Sequence, residues 1–519
     1  MESRKDTVSL DLTSCDREPI HAPSAIQPFG ALLVIQDEFI VAASENCGRI
    51  LGIATDELLN RHYTAAFGAN CESLLEAVQR RDEPTAPTMV RLAGSKRWVT
   101  ATAFRQANRV IVECERIDND EVQDIASLKF VSQKHETVLS YLAFVAEGLR
   151  LITKFDRVMI YRFAEDWHGE VIAESKTMRL SSFYGHHFPA TDIPQPARRL
   201  FLANWVRMIP DISYEPVPIK SIGEAPPLDL TLSALRSVSP IHIQYLTNME
   251  ISGTLTLSII CDGRLWGLIA CHNIAPKYLP AHERSVCGLI AKMVSSRVTA
   301  IEVASIIEAR EKLGVFVRSI QAEMATGVDL SELIRLHKHS LWKMIESDGF
   351  NFIAVDDENS TSDGQALEPT QAQELVKALE KSSVNVLHVI NVQKEFSVWT
   401  DSPYFGGIIA VRAGHDWLVW NKKESVRTVT WAGDPNKAEA TPGALLTPRA
   451  SFADWQEQLR GYSTSWQQHE IDFAEQLYQI IFAGIENTTV NVEQPAQYLE
   501  KLNTLIEEDL DDLQGHVSL

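Results

Sequence analysis

Ser182-Phe-Tyr-Gly-His-His-Phe-Pro-Ala-Thr-Asp-Ile-Pro194 is the stretch with the highest density of chemically distinctive residues in the chain. It lies in a segment rich in proline and turn residues, 180–235, with strand patterns at 157–163 and 171–175 before it and at 253–260 and 265–272 after it. Long loops inside compact domains usually form a binding site or a lid. We therefore expect this segment to do more than connect two strands. The stretch therefore predicts an α+β domain whose sheet carries a long functional loop.

Outward from this stretch, the same mixture of strands and helices occurs in each direction. Strand patterns precede it, for example at Ala31–Ile35, and follow it, for example at Gly407–Arg412. Residues 281–313 contain no proline and one glycine, which predicts a connecting helix about 50 Å long. We predict an α+β chain of three consecutive domains with antiparallel sheets and a helical tail, at residues 1–120, 121–305, 306–487 and 488–519.

The composition excludes several classes of function. The chain has 48 Lys and Arg against 69 Asp and Glu, a formal charge of −21. Phosphate backbones and anionic lipid repel such a chain, so we expect no nucleic acid and no membrane as partners. We see no signal peptide and no apolar run of ~20 residues, and we expect a cytoplasmic protein. The seven cysteines are scattered without a C-x-x-C pair, which argues against a disulfide framework or a zinc site.

Histidines and arginines around the quoted stretch are the candidates for ligand binding. His242 and His272 stand among apolar residues, and Arg207 and Arg236 fall in the same predicted domain. The two adjacent histidines of the quoted stretch would point to opposite faces of a strand, so we expect no metal site. Phosphate-binding and nucleophile-elbow motifs are absent from the sequence. Aromatic residues, ring donors and separate arginines suit a large flat ligand with a polar edge and acidic tails.

Eight motifs spread over the three predicted domains form one ordered set. They are Ser14-Cys-Asp-Arg-Glu-Pro-Ile-His21, Ile26-Gln-Pro-Phe-Gly30, Asp156-Arg-Val-Met-Ile-Tyr-Arg-Phe163, Pro189-Ala-Thr-Asp-Ile-Pro194, Arg236-Ser-Val-Ser-Pro-Ile-His-Ile-Gln-Tyr-Leu246, Trp266-Gly-Leu-Ile-Ala-Cys-His272, Trp431-Ala-Gly433 and Pro448-Arg-Ala-Ser-Phe452. In this order they resemble the photosensory module of bacterial phytochromes, over residues 8–487. That resemblance implies PAS, GAF and phytochrome-specific (PHY) domains, a tongue at about 425–465 in the PHY domain, and a figure-of-eight knot between the N-terminal segment and the GAF domain.

The resemblance also implies a chromophore, biliverdin IXα, attached through a thioether to Cys15. Relatives that use a different cysteine carry it directly before the GAF histidine, where this chain has Ile241, which cannot form the bond. The implied chromophore-binding residues are Cys15, Tyr161, Phe188, Asp192, Ile193, Pro194, Phe201, Arg207, Arg236, Ser239, His242, Tyr245, Thr254, Thr256 and His272.

Each implied residue has a role in the family. The backbone carbonyl of Asp192 and the ring of His242 hold the pyrrole nitrogens, and His272 donates to the carbonyl of the terminal D ring. The donors to the two propionates are Arg207, Arg236, Ser239, Thr254 and Thr256. The walls around the D ring are Tyr161, Phe188, Phe201 and Tyr245. Two residues depart from the family pattern: Thr191 replaces the usual Ser, and Phe201 stands where relatives often carry Tyr.

The implied mechanism is photochemical. Red light isomerises the bridge between rings C and D, and Asp192 exchanges a tongue partner, Arg449, for Ser451. The tongue then refolds from a hairpin towards a helix and pulls on the long connecting helix. We expect a homodimer that acts on a downstream output domain or response regulator, and a sensory module rather than an enzyme.

Three other functions are compatible with parts of the sequence, one of them a purely structural or scaffolding role for the carboxyl-terminal helix. A PAS/GAF sensor of a small regulatory molecule, without photochemistry, would leave Cys15 and the tongue motif without a purpose. A hydrolase using Asp192 with His242 or His272 would need a nucleophile or a metal that the sequence does not offer.

Overall fold

The computed structural model describes residues 19–489, apart from short internal gaps. Those gaps are residues 69, 81–82, 95–96, 118–134, 136, 224–226, 325–327, 355–359, 383, 397–405, 426, 434–451, 453 and 460. The predicted Cys15, Arg449 and Ser451, and the tail at 488–519 from residue 490 on, lie outside the described residues. The described residues fall into two compact units, one of residues up to 303 with 429–457, the other of residues 304–428 with those from 458 on.

The strands and helices that begin before residue 304 belong to two sheets and their covering helices. The strands are β1 (Ala25–Ile26), β2 (Gly30–Gln36), β3 (Phe39–Ser44), β4 (Thr88–Arg91), β5 (Trp98–Gln106), β6 (Arg109–Arg116), β7 (Arg157–Phe163), β8 (Gly169–Lys176), β9 (His186–Phe188), β10 (Val206–Ile209), β11 (Val217–Ser221), β12 (Gly253–Cys261) and β13 (Arg264–Asn273). The helices are α1 (Cys47–Ile50), α2 (Thr55–Leu58), α3 (Thr64–Phe67), α4 (Glu72–Gln79), α5 (Val138–Thr153), α6 (Gln195–Ala203), α7 (Pro240–Asn248) and α8 (Ala281–Met324), with a 3-10 turn at Ala190–Asp192.

From residue 304 on, the chain forms a third sheet, its helices and the two tongue strands. The strands are β14 (Gly349–Ile353), β15 (Thr361–Gly364), β16 (Val386–Val389), β17 (Gly407–Ala413), β18 (Asp416–Lys422), β19 (Arg427–Ala432) and β20 (Asp454–Leu459). The helices are α9 (Leu330–Met344), α10 (Pro369–Ser382), α11 (Val392–Phe396) and α12 (Gln468–Thr489). Among the described helices, none has both the length and the apolar character needed to cross a bilayer.

The N-terminal sheet has the strand order β1-β11-β3-β2-β6-β5-β4. Its β11 comes from the long loop of the central domain, yet it pairs with β1 on one side and β3 on the other. The backbone N–H of Gln27 also donates to the carbonyl of Leu235 at 2.7 Å. These bonds join the two segments that the resemblance assigns to the knot, while the threading itself stays a prediction.

The central sheet has the order β10-β12-β13-β7-β8-β9-β19-β20, and α5 and α8 cover one of its faces. Leu142, Val145 and Leu149, spaced three and four residues apart, are all fully buried on α5. Thr137 caps this helix by accepting the N–H of Ser140 at 3.2 Å, a frequent stabilising contact at helix starts. These contacts fix the sheet that carries the candidate site.

The third sheet has the order β15-β14-β18-β17-β16 and is buried on both faces. One face packs against α9 and α12, and the other packs against α10 and α11. The connecting helix predicted over 281–313 is longer in the structure, where α8 continues to Met324.

Candidate functional site

Strand alternation divides the side chains of the central sheet between two faces. On β10, Met208 packs into the core beneath α5 and α8, so Arg207 points to the opposite face. On β12, Leu255 packs into the same core, which leaves Thr254 and Thr256 on the opposite face. We call this opposite face, which carries Arg207, Thr254 and Thr256, the cleft face.

The strand register aligns the predicted binding residues of the cleft face in rows. Arg207 on β10 is paired with Thr256 on β12, which is paired in turn with Ala270 on β13. In the neighbouring row, Thr254 is paired with His272. The sheet therefore brings together predicted binding residues from three different strands.

Two short helices pack against the cleft face. The carbonyl of Phe201 on α6 accepts a hydrogen bond from the hydroxyl of Ser258 on β12 at 2.6 Å. On α7, Leu246 packs against Ile209 of β10. The first turn of α7 is capped by Ser239, whose hydroxyl accepts a backbone N–H, and begins with a proline at a position that suits it.

Asp192 is connected to α7 through a tyrosine. The hydroxyl of Tyr245 donates to Oδ2 of Asp192 at 3.1 Å. His242 lies one helical turn before Tyr245, and the two rings are nearly parallel, 13° apart with centroids 6.0 Å apart. Next to Asp192, Ile193 accepts a hydrogen bond from Arg198, and the following residue, the predicted Pro194, forms the N-cap of α6. The structure therefore places these predicted site residues at one edge of the cleft.

Both histidines of the site are held neutral. His242 is exposed, yet the surrounding protein desolvates its ring and, together with Arg207, lowers its pKa to about 4. Exposure combined with desolvation describes a side chain in a concave cleft rather than on an open surface. His272 is buried, and desolvation, Arg157 and His242 lower its pKa to about 3. At neutral pH each ring offers one N–H donor and one acceptor, and Nδ1 of His272 has no hydrogen-bond partner in the described part of the chain.

The two predicted arginines, Arg207 and Arg236, differ in their hydrogen bonding. The guanidinium of Arg207 donates to the backbone carbonyls of Ala234, Arg236 and Ser237 and so holds that segment. Arg236 is only 7% exposed, and its Nε and Nη1 find no hydrogen-bond partner among the residues that the structure describes. Burial and the nearby charge of Arg207 lower the pKa of Arg236 to about 8. An unpaired buried cation is unfavourable, so this position is suited to binding an anion.

Three of the four predicted aromatic residues pack into one apolar cluster, and the fourth, Tyr245, packs against a separate cluster that contains Leu246. Tyr161, Phe188 and Phe201 belong to the first cluster together with Phe183. The ring of Tyr161 meets that of Phe188 edge-on at 5.9 Å, and its hydroxyl donates to the Phe188 carbonyl at 3.5 Å. Gly169 makes room for this arrangement, because a Cβ there would lie 1.8 Å from the Tyr161 ring.

Sequence reasoning missed a buried ion pair beside the site. Nε of Arg157 lies 3.0 Å from Oε1 of Glu174, and both side chains are 3% exposed. The Arg157 guanidinium also lies over the ring of Phe183, 4.3 Å from its centroid. Arg157 is paired with His272 across the sheet, so its charge contributes to the low pKa of that histidine. The sequence feature that indicates the position of Arg157 is the alternation along β7, which places Arg157 on the same face as Met159 and Tyr161.

The tongue adds a strand and two apolar side chains to this region. Its β19 runs parallel to β9, with Trp431 paired to His187. Ala432 is fully buried in the aromatic cluster. Phe452 packs edge-on against Tyr245, with ring centroids 5.0 Å apart. The described part of the tongue therefore contacts the same residues that border the cleft.

Family models match three consecutive parts of the chain. A PAS fold matches residues 15–117, a GAF domain matches residues 140–298, and a phytochrome region matches residues 316–489. These matches confirm the predicted order of domains, and the domain boundaries given above stay predictions.

Whole-chain comparisons agree with the family models. Cyanobacterial phytochrome B of Nostoc sp. is 34% identical over 97% of this chain and 69% of its own length. A bacteriophytochrome of Xanthomonas campestris pv. campestris is 32% identical over 92% of this chain and 79% of its own length. Among solved structures, the phytochrome photosensory core module of Stigmatella aurantiaca has a TM-score of 0.76 and 31% identity, covering 92% of this chain and 99% of that one. The structure of a bacteriophytochrome from R. palustris has a TM-score of 0.76 and 30% identity, and the match covers 91% of this chain and 99% of that one. The predicted fold is thereby confirmed, and the chain belongs to the phytochrome family, with a PAS–GAF–PHY core.

Proposed function

We propose that this chain is a red/far-red photoreceptor module that holds biliverdin IXα in the cleft of its GAF domain, attached by a thioether to Cys15. The observation that carries the proposal is Arg236, a buried cation beside Arg207 whose Nε and Nη1 lack a partner within the described residues. Similarity to bacteriophytochromes supports a bilin as the ligand.

The polar residues of the cleft fit a ligand with two carboxylates. Arg236 offers two nitrogens, Nε and Nη1, that have no partner among the described residues, and a planar guanidinium is the side chain that suits a carboxylate best. The hydroxyls of Ser239, Thr254 and Thr256 can add further donors. Arg207 would contribute its positive charge, since it already uses donors to hold the segment that carries Arg236. The two propionates of biliverdin meet these requirements.

His242, His272 and Asp192 fit the polar edge of a tetrapyrrole. Because both rings stay neutral, each can donate one hydrogen bond and accept another. In the proposed complex, His272 uses its unpaired nitrogen to donate to the carbonyl of the terminal ring. The backbone carbonyl of Asp192 and the ring of His242 form hydrogen bonds with the pyrrole nitrogens.

The aromatic cluster fits the terminal ring, which needs an apolar surrounding. The proposed walls are Tyr161, Phe188, Ile193, Pro194, Phe201 and Tyr245. Apolar and aromatic contacts there exclude water without fixing the orientation of the ring by hydrogen bonds. Phe201 lacks the hydroxyl that relatives often carry at this position, so we expect an altered lifetime of the photoproduct.

When bound, biliverdin supplies absorption of red light and isomerisation of the bridge between its C and D rings. The surrounding residues transmit the change. Asp192 accepts a hydrogen bond from Tyr245, and Phe452 of the tongue packs on Tyr245, so a displacement of Asp192 reaches the tongue through one aromatic ring. In our proposal Asp192 exchanges Arg449 for Ser451, the tongue refolds from hairpin to helix, and α8 receives the pull. This is a population shift of a two-state element.

The proposal includes a homodimer and a downstream output domain or response regulator. Exposed apolar side chains on two helices support a second copy as the partner: Leu139 on α5 is 52% exposed, and Leu289 and Met293 on α8 are 52% and 38% exposed. Such side chains are typical of helical association surfaces. Sedimentation of the pigment-bound protein measures the dimer directly.

Incubation of the purified apoprotein with biliverdin tests the proposed function. We expect a red-absorbing band that decreases under red light and returns under far-red light or in darkness. In acid-denatured samples, the pigment should stay with the wild-type chain and separate from the Cys15→Ala variant. A colourless protein, or a spectrum that is the same after red and far-red illumination, would show that the proposal is wrong.

A further inference from the structure

A carboxylate of the PAS domain lies behind the segment that carries Arg236. Glu113 on β6 is 2% exposed, and its oxygens accept three hydrogen bonds from consecutive residues of the GAF loop. The donors are the hydroxyl of Ser233 and the backbone N–H groups of Ala234 and Leu235, the latter two at 3.1 Å each. One acidic side chain thus satisfies the donors of a loop that immediately precedes Arg236.

The same segment is fixed from its other side. Arg207 donates to the carbonyls of residues 234, 236 and 237. The side-chain amide of Gln27 donates to the carbonyl of Arg236 at 3.2 Å, and the hydroxyl of Tyr214 accepts the N–H of Val238 at 2.8 Å. Glu113 therefore accepts hydrogen bonds from the N–H groups of the segment, while Arg207 and Gln27 donate hydrogen bonds to its carbonyls. With both sets of backbone groups bound, the position of the Arg236 Cα is strongly constrained.

We propose that Glu113 is a positioning residue for the carboxylate site of the GAF domain: it holds residues 233–235 and thereby sets where the Arg236 guanidinium meets a ligand carboxylate. This inference rests on the proposed function. Glu113 itself does not reach the ligand in this arrangement; it acts through the backbone. The propionate site is then built by two domains, with its cation on the GAF domain and the anchor of that cation on the PAS domain.

Glu115, two residues after Glu113 on the same strand, is equally buried but does not hold the segment that carries Arg236. Glu115 is also 2% exposed on β6, but its carboxylate pairs with Arg284 and accepts a hydrogen bond from Tyr278 at 2.8 Å. Its hydrogen bonds go to α8 and the loop before it and not to the segment 233–238. Glu115→Gln is therefore a matched control, since it removes an equally buried acid from the same strand.

The test compares biliverdin with its dimethyl ester, which has the same ring system but no free carboxylates. Titrations use the full chain with Cys15→Ser, so that binding is reversible, and follow the absorption of each pigment. We expect a clear preference for biliverdin over the ester, and a loss of that preference in Arg236→Met. Glu113→Gln should reduce the preference about tenfold, because the NH2 group of the amide cannot accept the hydrogen bonding that one carboxylate oxygen accepted. Glu115→Gln should lower the Tm but keep the preference.

Each outcome decides the proposal. If Glu113→Gln weakens the binding of both pigments by the same factor, Glu113 is only structural and the proposal is wrong. If that variant does not fold, Ser233→Ala decides in its place, since it removes one of the three hydrogen bonds; we expect a threefold or so loss of preference, and an unchanged preference contradicts the proposal. If the parent protein binds neither pigment, the proposed function is wrong and the positioning role falls with it.

Discussion

The GAF and PHY domains each pack one face of an antiparallel sheet on long helices, but the second faces of the two sheets differ. In the PHY domain, that face carries Ile408 and Val419, and α10 and α11 seal it with Leu375 and Val392. In the GAF domain, the second face is the cleft face, which carries arginine, threonine and histidine side chains on its strands. The same architecture thus yields a second core in one domain and a cleft in the other.

Polar groups inside the two sheets are satisfied in different ways. In the PHY sheet, the buried amides of Asn351 and Asn421 bond to each other at 2.9 Å, and each also bonds to a neighbouring loop. In the GAF domain, Arg236 and His272 keep buried nitrogens without a partner in the described region. The indole nitrogen of Trp417 and the hydroxyl of Ser347 are buried exceptions in the PHY domain. A sheet face whose polar groups pair internally is a core, whereas a face that carries an unpaired imidazole nitrogen, in a domain whose loop holds an unpaired cation, is prepared for a ligand.

The largest effect should follow from removing the unpaired cation. Arg236→Met should weaken biliverdin binding about 100-fold, because a ligand carboxylate loses charge-assisted hydrogen bonds. The ligand-free protein should become more stable by about 1 kcal/mol, because a buried unpaired charge is replaced by an apolar side chain. Pigment titration and denaturant unfolding measure both effects. Unchanged affinity, or a destabilised apoprotein, would contradict the assigned role of Arg236.

The opposite behaviour is expected at a paired polar group of the PHY sheet. Asn421→Leu should destabilise the protein by about 2–3 kcal/mol, because Nδ2 of Asn351 loses its shorter hydrogen bond and the backbone carbonyl of Gln365 loses the Asn421 donor. The absorption spectrum of the bound pigment should not change. If denaturant unfolding shows no loss of stability in Asn421→Leu, the claim that paired polar groups stabilise the PHY sheet is wrong.

The buried histidine of the cleft face should make the ligand-free protein sensitive to acid. The folded-state pKa of His272 is about 3, below its unfolded value of about 6.5, so the unfolded chain takes up the proton first as the pH falls. His272 therefore destabilises the folded protein progressively below pH 6.5, by about 2 kcal/mol at pH 5 relative to pH 7.5. His272→Leu should lose correspondingly less stability between those pH values. Equal losses in variant and wild type, measured by urea unfolding, would be evidence against this pKa.

The smallest effect is expected at the tongue. Phe452→Ala removes the edge-on contact with Tyr245, and such aromatic pairs contribute about 1 kcal/mol. The rate of dark reversion should change about threefold to tenfold, while the spectrum of the dark-adapted form stays the same. Phe482→Ala, at a 45% exposed position on α12, is the control and should revert at the wild-type rate. If both variants behave alike, the path through Tyr245 is wrong.

Local sequence patterns predicted much of the fold. The strand predicted at 157–163 has those bounds in the structure, because branched and aromatic residues on both of its faces are buried. The helix predicted to end at residue 313 continues past Gly314 to Met324. Glycine lowers helix propensity by about 1 kcal/mol, but Phe316 and Ile320 in the following turns pack into the PHY core and offset that loss.

The long loop was harder to interpret from sequence. Segment 180–235 contains β9, β10, β11 and α6, none of which the sequence pattern indicated. These strands have three to five residues and pair with partners far away in the chain, so local periodicity carries little information about them. Family motifs did identify residues that the structure gathers at one cleft. They did not indicate that Arg207 would bind backbone carbonyls, or that Glu113 would hold the segment before Arg236, because side-chain partners depend on tertiary packing.

Hydrogen exchange of the full chain with and without biliverdin tests most directly which sheet face binds the pigment. We predict slower amide exchange in residues 190–203, 236–248 and 253–258, which border or form the cleft face, and unchanged exchange in α10 and α11 of the PHY domain. Exchange that stays unchanged throughout the GAF domain, or slows at α10 and α11 instead, would contradict the account.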